Sequence, residues 1–114
     1  MKKLYILPER ERTVVEEFVS RVQSLLCNRL STIILYGSKA RGEGDEESDI
    51  DILIVAEGLR REDEKELDDI AGDILVNSAI LISLIIFDST DLEWKMGKDS
   101  PFVKNVLEDG IKIG

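Results

Sequence analysis

Two long segments of the chain carry apolar residues at every third or fourth position, with charged residues between them. In residues 8–30 and 59–78 this period matches one face of an α-helix, so both segments are predicted to be amphipathic helices. The apolar positions that set the period are Val15, Phe18, Val19, Val22, Leu25 and Leu26 in the first segment, and Leu67, Ile70, Ala71, Ile74 and Leu75 in the second. The dense charges over residues 60–69 are interpreted as the solvated face of the second helix.

Three shorter segments lack the helical period and are rich in β-branched and apolar residues. Residues 32–36 end at a Gly-Ser pair and predict a buried strand. Residues 50–55 alternate, which places Asp49 and Asp51 on one face of a second strand and the intervening isoleucines on the other. Residues 80–87 are apolar on both faces, which predicts a third strand in the centre of the sheet.

The C-terminal part of the chain contains start and stop signals for two short helices. Thr90 and Glu93 stand three residues apart, as in a capping box, and predict a helix that Gly97 closes. A Ser-Pro pair at residues 100–101 predicts another helix, which ends at Gly110.

The order of helices and strands indicates one α/β domain over residues 1–114. Helix-length connections between strands are typical of a mixed β-sheet flanked by helices, and residues 111–113 add a short edge strand. A chain of 114 residues has room for one hydrophobic core. The longest apolar run, residues 79–87, is about half the length that a membrane-spanning helix needs. No signal-peptide pattern is recognised at the start of the sequence, so a cytoplasmic protein is expected.

The composition removes several kinds of chemistry. The chain has no histidine, which excludes Ser-His-Asp and Cys-His catalysis and histidine metal sites. Its single cysteine, Cys27, excludes an internal disulfide, and the leucines around it predict a position in the core. The net charge of −9 opposes binding to a nucleic-acid backbone, so an anionic substrate needs a metal ion or a local exception to the acidic surface. Catalysis is left to carboxylates, lysines, arginines, hydroxyls and recruited metal ions.

The chemistry is expected in the polar loop of residues 37–48 and in the strand after it. A strand that ends in Gly37 and Ser38 presents backbone N–H groups and a hydroxyl to phosphate oxygens. Asp49 and Asp51 project from one strand face with Cα atoms about 6 to 7 Å apart, so they can share one or two Mg²⁺ ions. In a two-metal site one ion activates the attacking hydroxyl, and the other binds the triphosphate and stabilises the leaving pyrophosphate.

Other interpretations of this segment fit less well. A polar loop closed by two carboxylates at a strand start is the simplest, but acidic residues are depleted in strands and a like-charged pair repels without a cation. A calcium loop of the EF-hand type would need glycine and glutamate where Ile50 and Ala56 stand. The glycines of the loop match neither the dinucleotide-binding motif nor the P-loop.

An ordered motif runs from the loop into the second strand, and its residues are Gly37, Ser38, Ala40, Gly42, Ser48, Asp49 and Asp51. Together with the C-terminal stretch 101–111, this motif resembles the minimal nucleotidyltransferases, a branch of the DNA polymerase beta superfamily. The resemblance implies a nucleotidyltransferase fold of the polymerase beta palm type. It implies that Gly37 and Ser38 bind the nucleotide phosphates, that Asp49 and Asp51 are the catalytic Mg²⁺ ligands, and that Arg41 assists with phosphate. Without the family, Lys39 and Arg41 would be interpreted as surface cations.

One position departs from the pattern of active family members, which usually carry a third carboxylate within an apolar triplet of a later strand. The matching triplet here is Ile82, Ser83 and Leu84. Ser83 cannot supply the charge, and strand alternation predicts that Asp88 lies on the opposite face. From the residues alone, Ser83 is interpreted as a satisfied buried hydroxyl.

Two functions are therefore expected to compete. The first is transfer of a nucleoside monophosphate, AMP from Mg-ATP, to a hydroxyl acceptor. By resemblance, the acceptor belongs to a helical HEPN-type partner protein for which the chain acts as antitoxin, and an acidic surface suits a basic partner. The second is a nucleotide-binding or antitoxin module without effective catalysis, which the serine at position 83 favours. Assembly as a homo-oligomer stays open, and neither nucleic acid nor a membrane is an expected partner.

Overall fold

The computed structural model describes residues 6–44 and 49–114, so Ser48 of the motif lies outside the described residues. Within these ranges the predicted helices and strands are all present, with ends that differ from the predictions by up to four residues. The helices and strands follow one another in the order α1 Glu9–Leu26, β1 Leu30–Tyr36, α2 Gly37–Ala40, β2 Ile50–Ala56, α3 Arg61–Ser78, β3 Ile82–Asp88, α4 Leu92–Lys95, α5 Pro101–Asp109 and β4 Ile111–Lys112.

The four strands form one mixed sheet in the order β3-β2-β1-β4. β1 runs antiparallel to both β2 and β4, whereas β2 and β3 are parallel. α3 supplies the crossover that a parallel pair requires. The predicted mixed α/β sheet is confirmed, and β4 is an edge strand as expected.

The predicted central position of β3 is wrong, because β3 forms the other edge of the sheet. Its apolar residues alternate between two environments. Leu84 and Ile86 pack into the larger core, while Phe87 on the opposite face stacks against Trp94 at a ring-centroid distance of 6.0 Å. A strand can therefore be apolar on both faces while one of its backbone edges stays unpaired.

Two apolar layers cover the sheet to different extents. α1 and α3 pack on one face and enclose a continuous core that contains Phe18, Ile33, Ile52 and Leu67. On the other face a smaller cluster forms around Val106 of α5. The helices of this second layer leave Asp51 half-exposed near the start of β2.

Local signals explain the C-terminal helices in part. The Ser100 hydroxyl accepts a hydrogen bond from the Val103 N–H, Pro101 is the first residue of α5, and Gly110 follows its last residue, as predicted. The predicted capping box of Thr90 and Glu93 is wrong. The Thr90 hydroxyl donates to Asp88 instead, and Glu93 accepts from Ser100.

Cys27 also differs from its prediction, since its side chain is exposed. It lies just after α1 with a φ of 51°, where a short 3-10 turn redirects the chain into β1. The helical period of the preceding leucines ends before this residue, so their burial does not extend to it. Among the described helices, none is long and apolar enough to cross a membrane.

Candidate active site

Three neighbouring strands bring Tyr36, Asp51 and Ser83 into one row on the less covered face of the sheet. Asp51 of β2 is in register with Tyr36 at the end of β1 and with Ser83 of β3. Side chains of residues paired in this way point to the same face, and adjacent strands lie about 4.8 Å apart. Position 83 therefore stands directly beside Asp51, where a third carboxylate would complete an acidic triad.

Gly37 lies at the turn from β1 into α2, and its Cα is next to the side chain of Asp51. Its φ of +74° lies in the left-handed region, which favours glycine. A Cβ atom at this position would collide with Oδ2 of Asp51. The sequence therefore needs glycine here for its backbone conformation and for its lack of a side chain.

Asp49 and Asp51 form the acidic part of the site. Asp49 is exposed just before β2, and Asp51 is half-buried on the strand. Burial, and then the negative charge of Asp49, raise the pKa of the Asp51 carboxyl above its usual range. A bound cation would relieve both effects because it favours the ionised carboxylate.

The donors at this pair fit Mg²⁺, which prefers carboxylate oxygens and retains water or substrate phosphate among its ligands. In residues 6–44 and 49–114, no group of three or more acidic, histidine or cysteine side chains is placed to hold a metal. Asp49 and Asp51 would therefore share the ion with phosphate oxygens and water.

The turn after β1 is closed by backbone hydrogen bonds. The Glu43 N–H donates to the Ser38 carbonyl at 2.9 Å, and the Arg41 N–H donates to the same oxygen at 3.1 Å. A Cβ atom on Gly44 would lie 3.1 Å from the Ser38 hydroxyl oxygen. The half-buried Ser38 side chain is thus held close to the backbone of Gly44, beside the residue that contacts Asp51.

Lys39 and Arg41 have different environments, although both would be interpreted as surface cations without the family. Lys39 is only 3% exposed, and its Nζ lies 2.6 Å from Oε1 of the buried Glu11 in α1. This interpretation is wrong for Lys39, which ties the turn to the helix layer. Arg41 is exposed, as expected, and its Nε pairs with Glu43 at 3.0 Å.

A pocket between the turn and α5 was not predicted from the sequence. Its lining includes Tyr36, Gly37, Arg41, Phe102, Asn105 and Asp109. The last three residues recur at steps of three and four, so helical spacing could have grouped them on one side of α5. A mixture of one aromatic and two polar residues is typical of an ordinary helix surface, so the sequence alone did not indicate a site here.

Asp88 does not replace the missing third carboxylate. It ends β3, whereas Ser83 lies near the start of that strand. Its carboxylate accepts hydrogen bonds from the backbone N–H groups of Leu59 and Thr90. These bonds lower the pKa of Asp88 and hold its carboxylate at the end of β3, away from position 83.

The sequence matches the family model of the nucleotidyltransferase domain over residues 12–113. The chain belongs to this family. Two relatives from Methanocaldococcus jannaschii are both named as candidate protein adenylyltransferases. One is 39% identical over 100 residues, covering 88% of this chain and 94% of the relative. The other is 38% identical over 78 residues, covering 68% of this chain and 79% of the relative. The chain is thus a nucleotidyltransferase, as the resemblance in its motif implied.

Solved structures confirm the fold of this nucleotidyltransferase. A toxin–antitoxin complex with AMP-PNP contains a chain with a TM-score of 0.54 and 21% identity, and the match covers 85% of this chain and 70% of that one. A candidate minimal nucleotidyltransferase has a TM-score of 0.53 and 24% identity, with coverage of 86% and 94%. These likenesses confirm the predicted α/β nucleotidyltransferase architecture.

Proposed function

We propose that residues 1–114 form one nucleotidyltransferase domain that transfers AMP from Mg-ATP to a hydroxyl group of a partner protein. In this proposal Asp49 and Asp51 are the catalytic Mg²⁺ ligands, and Gly37, Ser38 and Arg41 bind the triphosphate. A cation held by the two carboxylates, next to the phosphate-binding turn, would let a chain of net charge −9 accept an anionic substrate.

The observation that carries the proposal is the contact between the turn and the acid pair. Gly37 leaves just enough space for the Asp51 carboxylate, and burial, followed by the charge of Asp49, raises the pKa of Asp51. A cation held by the pair would lie beside the backbone of the turn, within reach of phosphates bound there. Carboxylates next to a phosphate-binding turn would repel the bound phosphates, unless a cation lies between the two sets of negative charge.

The reaction would be an in-line displacement at the α-phosphorus. The acceptor oxygen forms a bond to the α-phosphorus, the bond from the α-phosphorus to the oxygen that bridges the α- and β-phosphates breaks, and pyrophosphate leaves with that oxygen. The acceptor proton passes to solvent, because Ser83 offers no carboxylate at the position next to Asp51. Mg²⁺ bound at the pair would stabilise the charge that builds up on the phosphate oxygens.

The comparisons support the choice of nucleotide and acceptor. Relatives that match most of this chain are named as candidate protein adenylyltransferases, a name that denotes transfer of AMP to a protein. A structural neighbour is a toxin–antitoxin complex with AMP-PNP, an analogue of ATP. The resemblance of the motif to the minimal nucleotidyltransferases implies a HEPN-type helical partner, and we propose such a protein as the acceptor and this chain as its antitoxin.

The test is transfer of label from ATP to a HEPN-type protein, taken from the genes adjacent to that of this chain where one is present. Label in the α-phosphate should appear on that protein in the presence of Mg²⁺, whereas label in the γ-phosphate should not. Asp49→Asn should abolish the transfer, and Asp68→Asn, an exposed acid on α3, should leave it unchanged. Absence of α-label transfer with Mg²⁺ and partner present would refute the enzymatic proposal.

A second function, neutralisation of a partner by contact alone, is favoured by Ser83. The position in register with Asp51 lacks the carboxylate that active members usually carry. In this case the partner would bind and lose its toxicity with wild-type protein and with Asp49→Asn alike, and no label would be transferred. The labelling experiment therefore separates the two functions.

A further inference from the structure

We infer that the pocket between the turn and α5 is a subsite for the adenine base. In this subsite Phe102 stacks on the base and Asn105 forms hydrogen bonds with its edge. This inference rests on the proposed function, since it specifies which part of the chain selects the nucleotide. It concerns residues of α5 that the proposed phosphate and metal site does not use.

The position of the pocket relates it to the triphosphate. Gly37 and Arg41 belong to the turn proposed to bind phosphate, and both also line the pocket. Tyr36, a further lining residue, is in register with Asp51. A nucleotide with its phosphates on the turn can therefore place its base in this pocket.

The aromatic wall of the pocket suits a planar ring. Tyr36 and Phe102 pack edge to face, with ring centroids 5.6 Å apart and an interplanar angle of 90°. This geometry leaves ring surface open to a third planar group, and Phe102 is 36% exposed. Stacking of a base on an aromatic side chain stabilises complexes with every base, because each base has a π-face.

The rim carries the polar groups that distinguish one base from another. Asn105 and Asp109 lie one turn apart on α5, and both are exposed. An asparagine amide can donate to and accept from adenine at the same time, and a carboxylate can accept from its exocyclic amino group. The rim therefore fits adenine, and the volume of about 140 Å³ is that of a subsite for part of a ligand.

Calorimetric titration tests this subsite with Mg-ATP and Mg-tripolyphosphate as the probes. Wild-type protein should bind Mg-ATP more tightly than Mg-tripolyphosphate. Asn105→Ala should weaken Mg-ATP binding about tenfold and leave Mg-tripolyphosphate binding unchanged. The matched control is Asn77→Ala, another exposed asparagine on a helix, which should bind both probes like the wild type.

Equal affinity of Asn105→Ala and Asn77→Ala for Mg-ATP would overturn the inference. If Asn105→Ala lost affinity for the partner protein and kept affinity for Mg-ATP, the pocket would hold an acceptor side chain, which would also overturn it. Failure of the proposed function has a different signature, because then no α-label reaches the partner while the two probes still bind with the predicted difference. Loss of Mg-ATP binding in Phe102→Ala but not in Phe102→Tyr would further support stacking.

Discussion

Gly37 and Asp51 belong to different strands, and each restricts what the other can be. The backbone of Gly37 has a positive φ, and the carboxylate of Asp51 fills the space where a side chain would stand. A larger residue at position 37 would displace the acid pair as well as the turn. Single substitutions here should therefore affect stability and transfer together.

Gly37→Ala should destabilise the protein by about 2 kcal/mol, because it combines left-handed backbone strain with a collision against Asp51. It should also reduce AMP transfer below detection. Gly72→Ala is the matched control, since nothing lies within 4 Å of its Cβ position in the exposed middle of α3. That change should stabilise the protein by up to about 1 kcal/mol. Denaturant unfolding measures both, and a Gly37→Ala protein as stable as Gly72→Ala would contradict the predicted collision.

Ser83 occupies the position where one added charge would matter most for turnover. Since it is in register with Asp51, Ser83→Asp would place a third carboxylate next to the pair. We expect the rate of AMP transfer to rise at least about tenfold, because a carboxylate there can take the proton of the acceptor hydroxyl or bind the metal ion. Ser83→Asn is the control of similar size without charge. If both variants transferred AMP at the same rate as the wild type, position 83 would have no part in the reaction.

At the scale of helices and strands, the start of α3 is fixed by Asp63. Its carboxylate accepts hydrogen bonds from Arg29 at 2.7 and 3.1 Å and from the backbone N–H of Arg60 at 2.9 Å. These interactions join α3 to the turn before β1 and lower the pKa of Asp63 well below its usual value of 3.8. The ionised form is therefore favoured in the folded protein.

Asp63→Asn should lower the Tm by several degrees at neutral pH. Because the folded-state pKa of Asp63 is depressed, its stabilising effect is complete above the usual pKa near 3.8, declines as the pH falls below that value, and is gone once the pH has fallen through the folded-state pKa. The difference in Tm between wild type and variant should therefore shrink in acid. Thermal unfolding at about pH 7, 5 and 3 measures this, with Asp68→Asn as the control. A difference that stays constant down to about pH 3 would show that the charge of Asp63 is not responsible.

Much of this architecture could be predicted from the periodicity of the sequence, because helix and strand faces follow from local apolar spacing. The two long helices, the three main strands and the Ser-Pro helix start are all present. The shared face of Asp49 and Asp51 stays a prediction from strand alternation, because β2 begins at Ile50, after Asp49. Their partner in the turn required the family resemblance, since sequence spacing alone does not place β1 against β2.

Features that depend on contacts between distant segments could not be predicted in this way. Lys39 is buried because Glu11, which is 28 positions away in the sequence, supplies its counter-charge. The edge position of β3 depends on strand order, which its apolar pattern does not specify. The pocket beside α5 forms only when that helix packs near the turn, so its residues carried no local signal of a site.

At the scale of the whole molecule, the two layers divide stability from chemistry. The face under α1 and α3 holds most of the fully buried side chains among the described residues. The opposite face is covered in part by α5, and the row of Tyr36, Asp51 and Ser83 lies on it. A site on this partly open face can admit a nucleotide and the hydroxyl of another protein without rearranging the core.

Thermal unfolding of the wild type and Asp51→Asn, in EDTA and in Mg-ATP, tests most directly whether the acid pair is a cation and nucleotide site. In EDTA the variant should melt higher by about 3 °C or more, because it lacks the repulsion and burial that raise the pKa of Asp51. Mg-ATP should raise the Tm of the wild type and leave that of the variant nearly unchanged, so that the order of stability reverses. A wild type that is the more stable protein in EDTA, or an equal rise of both proteins with Mg-ATP, would contradict a cation and nucleotide site at Asp49 and Asp51.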